Sequence, residues 1–224
     1  MQFTYHEDAK NSTLKIEGQS FVHLFKSRRA NTEELLNFRN LKDNNLYRYK
    51  ILEINKKDAF CELIETLQDE KKTQKPFTLA WSVIDPKTIE KTLPFLNEIG
   101  VEKIIFVYTR FSQHNFKIDI EKLKRVLINS CEQCGRADLM EFEVIKSLNE
   151  FMKKYDDFGV IDFSSNRMEE FTCKLPNTWL VGCEGGFSKE EKELLSQKIT
   201  IGFETSNILR SESAAVAISS KIIL

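Results

Sequence analysis

The hydrophobic pattern of this 224-residue chain changes near residue 72, and that change constrains its fold more than any other feature. Before residue 70 the apolar segments are short and β-like, with turn residues between them, as in a small antiparallel barrel. After Pro76, apolar strands alternate with amphipathic helices, a pattern typical of a mainly parallel α/β sheet. The polar run Asp69–Pro76 has no apolar anchor and ends in proline. The sequence therefore predicts two domains, residues 1–72 and 73–224.

Periodicity and capping residues predict the individual elements. Predicted strands cover residues 34–38, 46–54, 59–65, 77–81, 104–108, 159–163, 179–182 and 199–203. Predicted helices cover residues 86–99, 119–134, 188–197 and 212 to the end. Pro94 lies inside the first of these helices and is expected to kink or split it, because proline cannot donate the helical hydrogen bond. Ser188 and Glu191 match a capping box.

Composition excludes several classes of protein. Hydrophobic residues form 41% and charged residues 30% of the chain, which is too apolar for a disordered protein. The 33 basic and 34 acidic residues give a net charge of -1, so any polyanion must bind through a local patch. No apolar run approaches the roughly 20 residues of a membrane span, and the N-terminus does not resemble a signal peptide. We expect a cytoplasmic protein with reduced cysteines.

The densest chemical signal is Trp179–Ser188, a predicted strand that leads directly into Gly185, Gly186 and a capped helix. Adjacent glycines allow positive φ and let a ligand approach the backbone closely. This segment is either a ligand-binding loop at the carboxyl edge of the sheet or simply a tight turn between strand and helix. It matches neither the dinucleotide fingerprint nor the P-loop, which disfavours a nucleotide-phosphate enzyme.

Arginines mark two further loops. Arg210 and Glu212 lie at the start of the last predicted helix, where Arg210 would either bind a phosphate or pair with a carboxylate of the fold. Arg136 follows a Cys-x-x-Cys segment at the end of a helix, and it would either present its guanidinium to RNA or complement the helix dipole. The cysteine pair lacks a second ligand pair, and the three histidines show no metal spacing, so we expect no metal.

Residues 21–50 carry seven basic and three acidic side chains, with aromatic residues interleaved. Such a stretch suits contact with RNA, although a solvated surface is the commoner explanation of such a charge count. Lys26, Arg28 and Arg29 form its densest part.

Together, Val181-Gly-Cys-Glu-Gly-Gly-Phe-Ser-x-x-Glu191 and the later Ile208-Leu-Arg-Ser-Glu-Ser-Ala214 resemble the signature of the 16S ribosomal RNA (uracil-N3) methyltransferases, which belong to the SPOUT class. Three upstream segments are also similar to the family: His23–Arg29, Leu96–Val101 and Glu132–Arg136. The chain departs from the family pattern in having Cys183 for proline, Ser213 for threonine, and Glu204-Thr205 for a Leu-Gly pair.

The resemblance implies a PUA-like β-barrel that contacts RNA, followed by a mostly parallel α/β methyltransferase domain with a C-terminal trefoil knot. It also implies a homodimer with S-adenosylmethionine as cofactor, and 16S ribosomal RNA or the small ribosomal subunit as partner, with no metal and no membrane. The implied cofactor-binding residues are Phe163, Val181, Gly182, Gly185, Gly186, Ile201, Gly202, Phe203, Ile208 and Leu209. The implied catalytic residues are Arg210, Glu212 and Glu184, and the implied RNA-binding residues are Lys26, Arg28, Arg29 and Arg136.

The chemistry that the resemblance implies is methylation of N3 of an unpaired uridine, for which the proton on N3 must leave. Glu212, Glu184 and Glu132 are the candidate acceptors, and the sequence does not rank them. Arg210 or Arg136 would stabilise the uracil oxygens or the adjacent phosphate. A protein of another class, a non-catalytic RNA-binding or ribosome-assembly factor, is the alternative; it would bind RNA in a salt-dependent manner but not S-adenosylmethionine.

Overall fold

A computed structural model describes residues 2–69, 75–170 and 175–224. The strands are β1 (Thr4–Tyr5), β2 (Thr13–Glu17), β3 (Leu35–Arg39), β4 (Asn45–Ile54), β5 (Asp58–Gln68), β6 (Thr78–Ser82), β7 (Lys103–Val107), β8 (Glu141–Ile145), β9 (Gly159–Ile161), β10 (Thr178–Val181) and β11 (Thr200–Ile201). The α-helices are α1 (Gly18–Phe21), α2 (Pro86–Ile99), α3 (Ile120–Cys134), α4 (Leu148–Lys154), α5 (Lys189–Leu195) and α6 (Ser211–Ile223). A π-helical turn, Val22–Ser27, continues α1, and a 3-10 turn covers Met168–Glu170.

The chain divides into two compact units, which are Met1–Lys72 with Ile128–Leu139, and Thr73–Leu127 with Met140–Leu224. The predicted boundary between residues 72 and 73 lies outside the described residues, and the domain division stays a prediction. The sequence did not indicate that Ile128–Leu139, the second half of α3 and the loop after it, belongs to the first unit. Its Cys131 is buried there with Phe3 and Leu41.

The first unit is built on a curled sheet with strand order β1-β3-β4-β5-β2. Three pairs in it are antiparallel: β2 with β5, β3 with β4, and β4 with β5. The short β1 pairs parallel with β3. Alternate residues of β4, such as Tyr47, Tyr49 and Ile51, face the core, as expected for a sheet with one buried face. Phe21 and Leu24 of the helical segment, which the sequence pattern did not predict, close the same core. The closed PUA-like barrel stays a prediction.

The second unit is a six-stranded sheet with order β11-β9-β10-β6-β7-β8, and every strand pair in it is parallel. This confirms the α/β prediction of a parallel sheet flanked by helices. The central strands are buried along most of their length, because helices cover both faces of a parallel sheet. The predicted strands at 159–163 and 199–203 are shorter than expected, and β8 and α4 were not predicted.

Helix α2 begins and ends where the sequence predicts. The Asp85 carboxylate accepts the Thr88 N–H at 3.2 Å, and Gly100 ends the helix in the left-handed region with φ 106°. Of the two outcomes predicted for Pro94, the split is wrong, because α2 runs unbroken through it, and the kink stays a prediction. Leu93 and Leu96 are fully buried on either side, and burial of these side chains outweighs one missing hydrogen bond.

All six strands of the second sheet point the same way, so the loops that follow them meet at one edge. Among the described residues, no helix is both long and apolar enough to cross a membrane. Because these loops converge, the carboxyl edge of the parallel sheet is the expected position of a binding site.

Candidate functional site

A cavity of about 490 Å³ lies at the carboxyl edge of the parallel sheet, within the size range of small-molecule sites. It is formed by the loops after β9, β10 and β11 and by the start of α6. Of the residues implied by the resemblance, those that line it are Phe163, Val181, Gly182, Glu184, Gly186, Gly202, Phe203, Ile208, Leu209 and Arg210. Three loops far apart in sequence thus converge on one site.

Three of the implied cofactor-binding and catalytic residues lie outside this cavity. Gly185 lines an adjacent cavity, where a Cβ on it would meet Phe111 at 3.0 Å. Ile201 is buried within β11 and pairs with Ile161 of β9. Glu212 lies on the first turn of α6 and is not among the residues that line the cavity. None of these placements tests a cofactor role, so all ten cofactor assignments stay predictions.

Two glycines let the backbone form this cavity. Gly186 has φ +67°, and its N–H donates to the carbonyl of Cys183 at 2.9 Å in a tight turn. A side chain there would be strained. A Cβ on Gly202 would lie only 2.2 Å from the Ser164 carbonyl oxygen, so the loops after β9 and β11 approach each other too closely for any side chain. Glycine at both positions keeps main-chain groups at the cavity wall.

Ser211, which was not among the predicted site residues, holds the start of α6 in place. Its hydroxyl donates to the Gly182 carbonyl at 2.5 Å and accepts from Trp81 Nε1 at 2.8 Å. Trp81 is fully buried and Ser211 nearly so. This pair of hydrogen bonds joins α6 to the ends of β6 and β10. The only sequence signal for it was its position between Arg210 and Glu212.

The two charged groups beside Ser211 face solvent to different degrees. The Arg210 side chain is 82% exposed, and its Nη1 lies 3.9 Å from Glu212 Oε1. The Glu212 side chain is only 23% exposed. Arg210 thus has a carboxylate within reach, as one of its two predicted roles requires. The other predicted role, phosphate binding, also remains open, because a guanidinium so exposed and so loosely paired is available to a phosphate.

Two charged residues that no sequence motif marked, Asp162 and Arg167, also line the cavity. Arg167 Nη1 donates to the carbonyl oxygens of Ser164 at 2.7 Å and Asn166 at 3.1 Å. Asp162 forms an ion pair with Lys192 of α5 at 2.7 Å. Arg167 therefore organises the loop after β9.

The residues implied to bind RNA all lie in the first unit. Lys26 lies over the Phe21 ring at 5.3 Å, Arg28 pairs with Glu34 at 3.3 Å, and Arg29 has φ 60°. These three side chains are exposed. Their assignment to RNA stays a prediction.

Arg136, the fourth of these residues, is largely buried. Its Nε and Nη2 donate to the two carboxylate oxygens of Asp138 at 3.2 and 3.1 Å. Its planar fork is thus used within the first unit, and a role in RNA binding stays a prediction. Glu132 is also engaged there: it accepts the backbone N–H of Tyr5 at 2.8 Å, and burial raises its pKa.

No group of three or more His, Cys, Asp or Glu side chains is arranged to hold a metal ion in the part of the chain that the structure describes. What the cavity offers instead is main chain, apolar side chains and a few charges. Such walls suit an organic ligand bound largely through shape and backbone hydrogen bonds.

Comparison with known proteins identifies the class of protein to which this fold and cavity belong. Residues 70–223 match the family model of an RNA methyltransferase domain. The fold and the site together therefore define an RNA methyltransferase. A relative from Helicobacter pylori, ribosomal RNA small subunit methyltransferase E, is 43% identical over 223 residues, which cover 98% of each chain. A protein of the same name from Aquifex aeolicus is 26% identical and also covers 98% of each chain. This chain belongs to the ribosomal RNA small subunit methyltransferase E family.

Solved structures share the whole fold. A putative methyltransferase from Legionella pneumophila, in complex with the bound cofactor SAM, matches with a TM-score of 0.81 and 24% identity, over 98% of this chain and 95% of that one. A ribosomal RNA small subunit methyltransferase E from Neisseria gonorrhoeae, bound to S-adenosyl methionine, has a TM-score of 0.82 and 18% identity, over 99% and 96%. At these identities the likeness establishes the fold.

Proposed function

We propose that this chain transfers a methyl group from S-adenosylmethionine to N3 of a uridine in the 16S ribosomal RNA of the small subunit. The observation that carries the proposal is the 490 Å³ cavity formed by three converging loops at the carboxyl edge of the sheet. Two structures with the same fold were solved with this cofactor bound. The uridine and its N3 atom come from the family resemblance of the two C-terminal motifs.

The residues present suit that cofactor. Phe163 and Ile208 line the cavity and are 77% and 79% exposed, which is unusual for large apolar side chains and leaves them free to cover a flat aromatic ring. Gly182, Gly186 and Gly202 bring main-chain donors and acceptors to the wall. When bound, S-adenosylmethionine supplies an electrophilic methyl carbon on its sulfonium, so the protein needs neither a metal nor a covalent nucleophile.

The remaining task for the protein is to orient the uridine and accept its N3 proton. Of the three candidate carboxylates, Glu184 lines the cavity and is exposed to an incoming base. Glu212 does not line the cavity, and Glu132 already accepts the N–H of Tyr5. This placement favours Glu184 as the acceptor, a role that contributes about 10²–10⁴-fold in rate. The exposed Arg210 at the same cavity would stabilise negative charge on the uracil oxygens.

We propose further that the C-terminal segment forms the trefoil knot of the SPOUT class. β11 lies at one edge of the sheet, beyond β9, yet α6 packs against β10, β6 and α2. The chain between β11 and α6 must therefore cross the loop after β9, and the Gly202 N–H does donate to the Asn166 carbonyl at 3.0 Å. Such a crossing supports a knot, which is a rare exception to ordinary chain topology.

Four other expectations belong to the same proposal. The first unit would be a PUA-like RNA-binding domain, for which its curled five-stranded sheet gives partial support. The protein would act as a homodimer in the cytoplasm, with ribosomal RNA or the small ribosomal subunit as its partner. Sedimentation velocity of the purified chain tests the dimer.

The deciding experiment incubates the protein with methyl-labelled cofactor and either naked 16S ribosomal RNA or small ribosomal subunits, and then separates the nucleosides of the RNA. We expect the label in N3-methyluridine. Label in another nucleoside would overturn the assigned atom while leaving the enzyme class intact. Salt-dependent RNA binding with no label and no calorimetric heat for the cofactor would instead identify a non-catalytic binder.

A further inference from the structure

A second surface on the methyltransferase unit has the composition of a nucleic-acid site. Three cavities follow one another along the carboxyl edge of the parallel sheet. The first is the 490 Å³ cavity that we propose binds S-adenosylmethionine, called the cofactor cavity below. The second is about 360 Å³ and the third about 740 Å³. Glu184 lines both the first and the second, and Phe111 lines both the second and the third. The row follows the strand order, since the third cavity lies over the ends of β7 and β8.

The third cavity, which we call the β7–β8 cavity, carries cations without partners. Arg110, Lys146 and Lys189 line it, and all three are exposed. Their backbone N–H groups are engaged in places, as that of Arg110 is with Glu191, but none of the three side chains forms a hydrogen bond or ion pair with a residue that the structure describes. Elsewhere in this unit, Lys103, Lys154 and Lys192 are each paired with a carboxylate. Unpaired cations gathered at one cavity are what a phosphate backbone requires.

The two carboxylates at this cavity do not cancel that charge through direct pairing. Glu191 accepts the backbone N–H groups of Arg110 at 2.7 Å and Ser188 at 2.9 Å. Glu190 accepts the Ser188 hydroxyl at 2.7 Å, and this hydrogen bond is the main reason that the pKa of Glu190 is lowered. The positive charge of Arg110 lowers the pKa of Glu190 further, but the two side chains form no ion pair. Both carboxylates accept hydrogen bonds at the capped start of α5, so the guanidinium and ammonium groups keep their donors for an external ligand.

An aromatic platform completes the surface. Phe111 is 51% exposed, and next to it the rings of Tyr108 and His114 are stacked with centroids 5.9 Å apart and planes 16° apart. The loop that carries them is anchored: the Tyr108 hydroxyl donates to the Phe116 carbonyl at 2.6 Å. Exposed aromatic rings beside cations are the means by which proteins hold unpaired nucleotides, through base stacking and phosphate pairing.

We propose that the β7–β8 cavity binds an unpaired stretch of the substrate RNA next to the target uridine, with Phe111 stacking on a base and Arg110 and Lys146 contacting phosphates. This inference rests on the proposed function for the identity of the RNA. The ends of β10 and β8 are three strand spacings apart, roughly 14 Å. RNA bound there lies beside the cofactor cavity without entering it, so it holds the flanking nucleotides while the target base is presented to Glu184.

The test uses the full chain and a fluorescently labelled single-stranded uridine decamer, with affinity measured by anisotropy between 50 and 200 mM salt. We expect Arg110→Ala and Lys146→Ala each to weaken binding by about three- to tenfold and to reduce the salt slope by about 0.7. Phe111→Ala should weaken binding by roughly 5- to 150-fold, and Phe111→Trp should retain it. The matched control is Lys124→Ala, which removes an exposed lysine that lines none of these cavities.

Cofactor titration of the same variants separates this proposal from the preceding one. The affinity for S-adenosylmethionine should stay within about twofold of the wild-type value in every variant, since none of the three side chains lines the cofactor cavity. If Arg110→Ala, Lys146→Ala and Phe111→Ala bind the decamer like Lys124→Ala, the β7–β8 cavity is not an RNA site, even where methyl transfer is normal. Slower methylation of assembled subunits with unchanged decamer binding would indicate a protein contact and would also overturn the proposal.

Discussion

Removing the Ser211 hydroxyl is the sharpest test of how the site is held together. Ser211→Ala deletes both the donor to the Gly182 carbonyl and the acceptor for Trp81 Nε1. Both partners are buried, so water cannot replace the lost oxygen without rearrangement. A buried polar group left unpaired costs about 1–3 kcal/mol. With two such groups, we expect a loss of about 2–6 kcal/mol in the free energy of unfolding.

The loss should appear at the cofactor cavity as well as in stability. Gly182 and the start of α6 both line that cavity, and Ser211 is the contact that joins them. Loosening the join should weaken the affinity for S-adenosylmethionine about tenfold, which corresponds to ~1.4 kcal/mol. Urea unfolding monitored by circular dichroism gives the first quantity, and isothermal titration calorimetry gives the second.

Two variants control for trivial effects. Ser213→Ala makes the same change on an exposed residue of the same helical turn, and it should alter stability by no more than about 0.5 kcal/mol. Ser211→Thr keeps the hydroxyl and should recover most of the cofactor affinity. If Ser211→Ala matches Ser213→Ala in both measurements, the two hydrogen bonds of Ser211 contribute nothing to stability or to cofactor binding.

The remaining predictions concern other parts of the second unit. Gly202→Ala should abolish cofactor binding in calorimetry, because its Cβ would lie 2.2 Å from the Ser164 carbonyl oxygen; binding of wild-type strength would contradict that close approach. Arg210→Ala should lower the rate of methyl transfer at least about 10²-fold while leaving the melting temperature unchanged, since its side chain is 82% exposed; wild-type rates would refute its role. Burial alone would raise the pKa of Glu143, but hydrogen bonds from Lys103, Lys154 and Tyr155 lower it to about 2. The stabilisation from Glu143 is therefore fully present above its unfolded pKa of about 4.3 and is lost as the pH falls towards 2. Glu143→Gln should cost about 1–2 kcal/mol at pH 6 and about half as much at pH 3 in urea unfolding, and an equal cost at both pH values would refute the assignment.

Local sequence patterns predicted most elements of the second unit. The period of α2, its Asp85 cap and its terminal Gly100 placed that helix correctly, and Ser188 with Glu191 correctly marked the start of α5. These signals work because caps and periodicity act between residues a few positions apart. They do not predict that α2 stays unbroken at Pro94, where the packing of distant elements outweighs a local preference.

The candidate site divides in the same way. Its glycines and its paired C-terminal motifs are visible in the sequence, because they are properties of short contiguous segments. Ser211 and Arg167 could not be recognised there, since their partners depend on which strand ends become neighbours. The same holds for Arg110, Phe111 and Lys146, which are unremarkable in sequence until the parallel sheet brings their loops to one edge.

By itself, the sequence determined that there is a strand-rich first part, a parallel α/β second part and a glycine loop with an arginine-bearing helix start. Only the tertiary structure decided that the loops after β9, β10 and β11 share one cavity, that Ile128–Leu139 belongs to the first unit, and that Gly185 and Ile201 lie outside the cavity. The physical reason is the sequence separation of the residues that determine each property. Backbone conformation is specified by neighbouring residues, whereas a cavity is specified by strand order, which emerges only when the whole sheet buries its two faces.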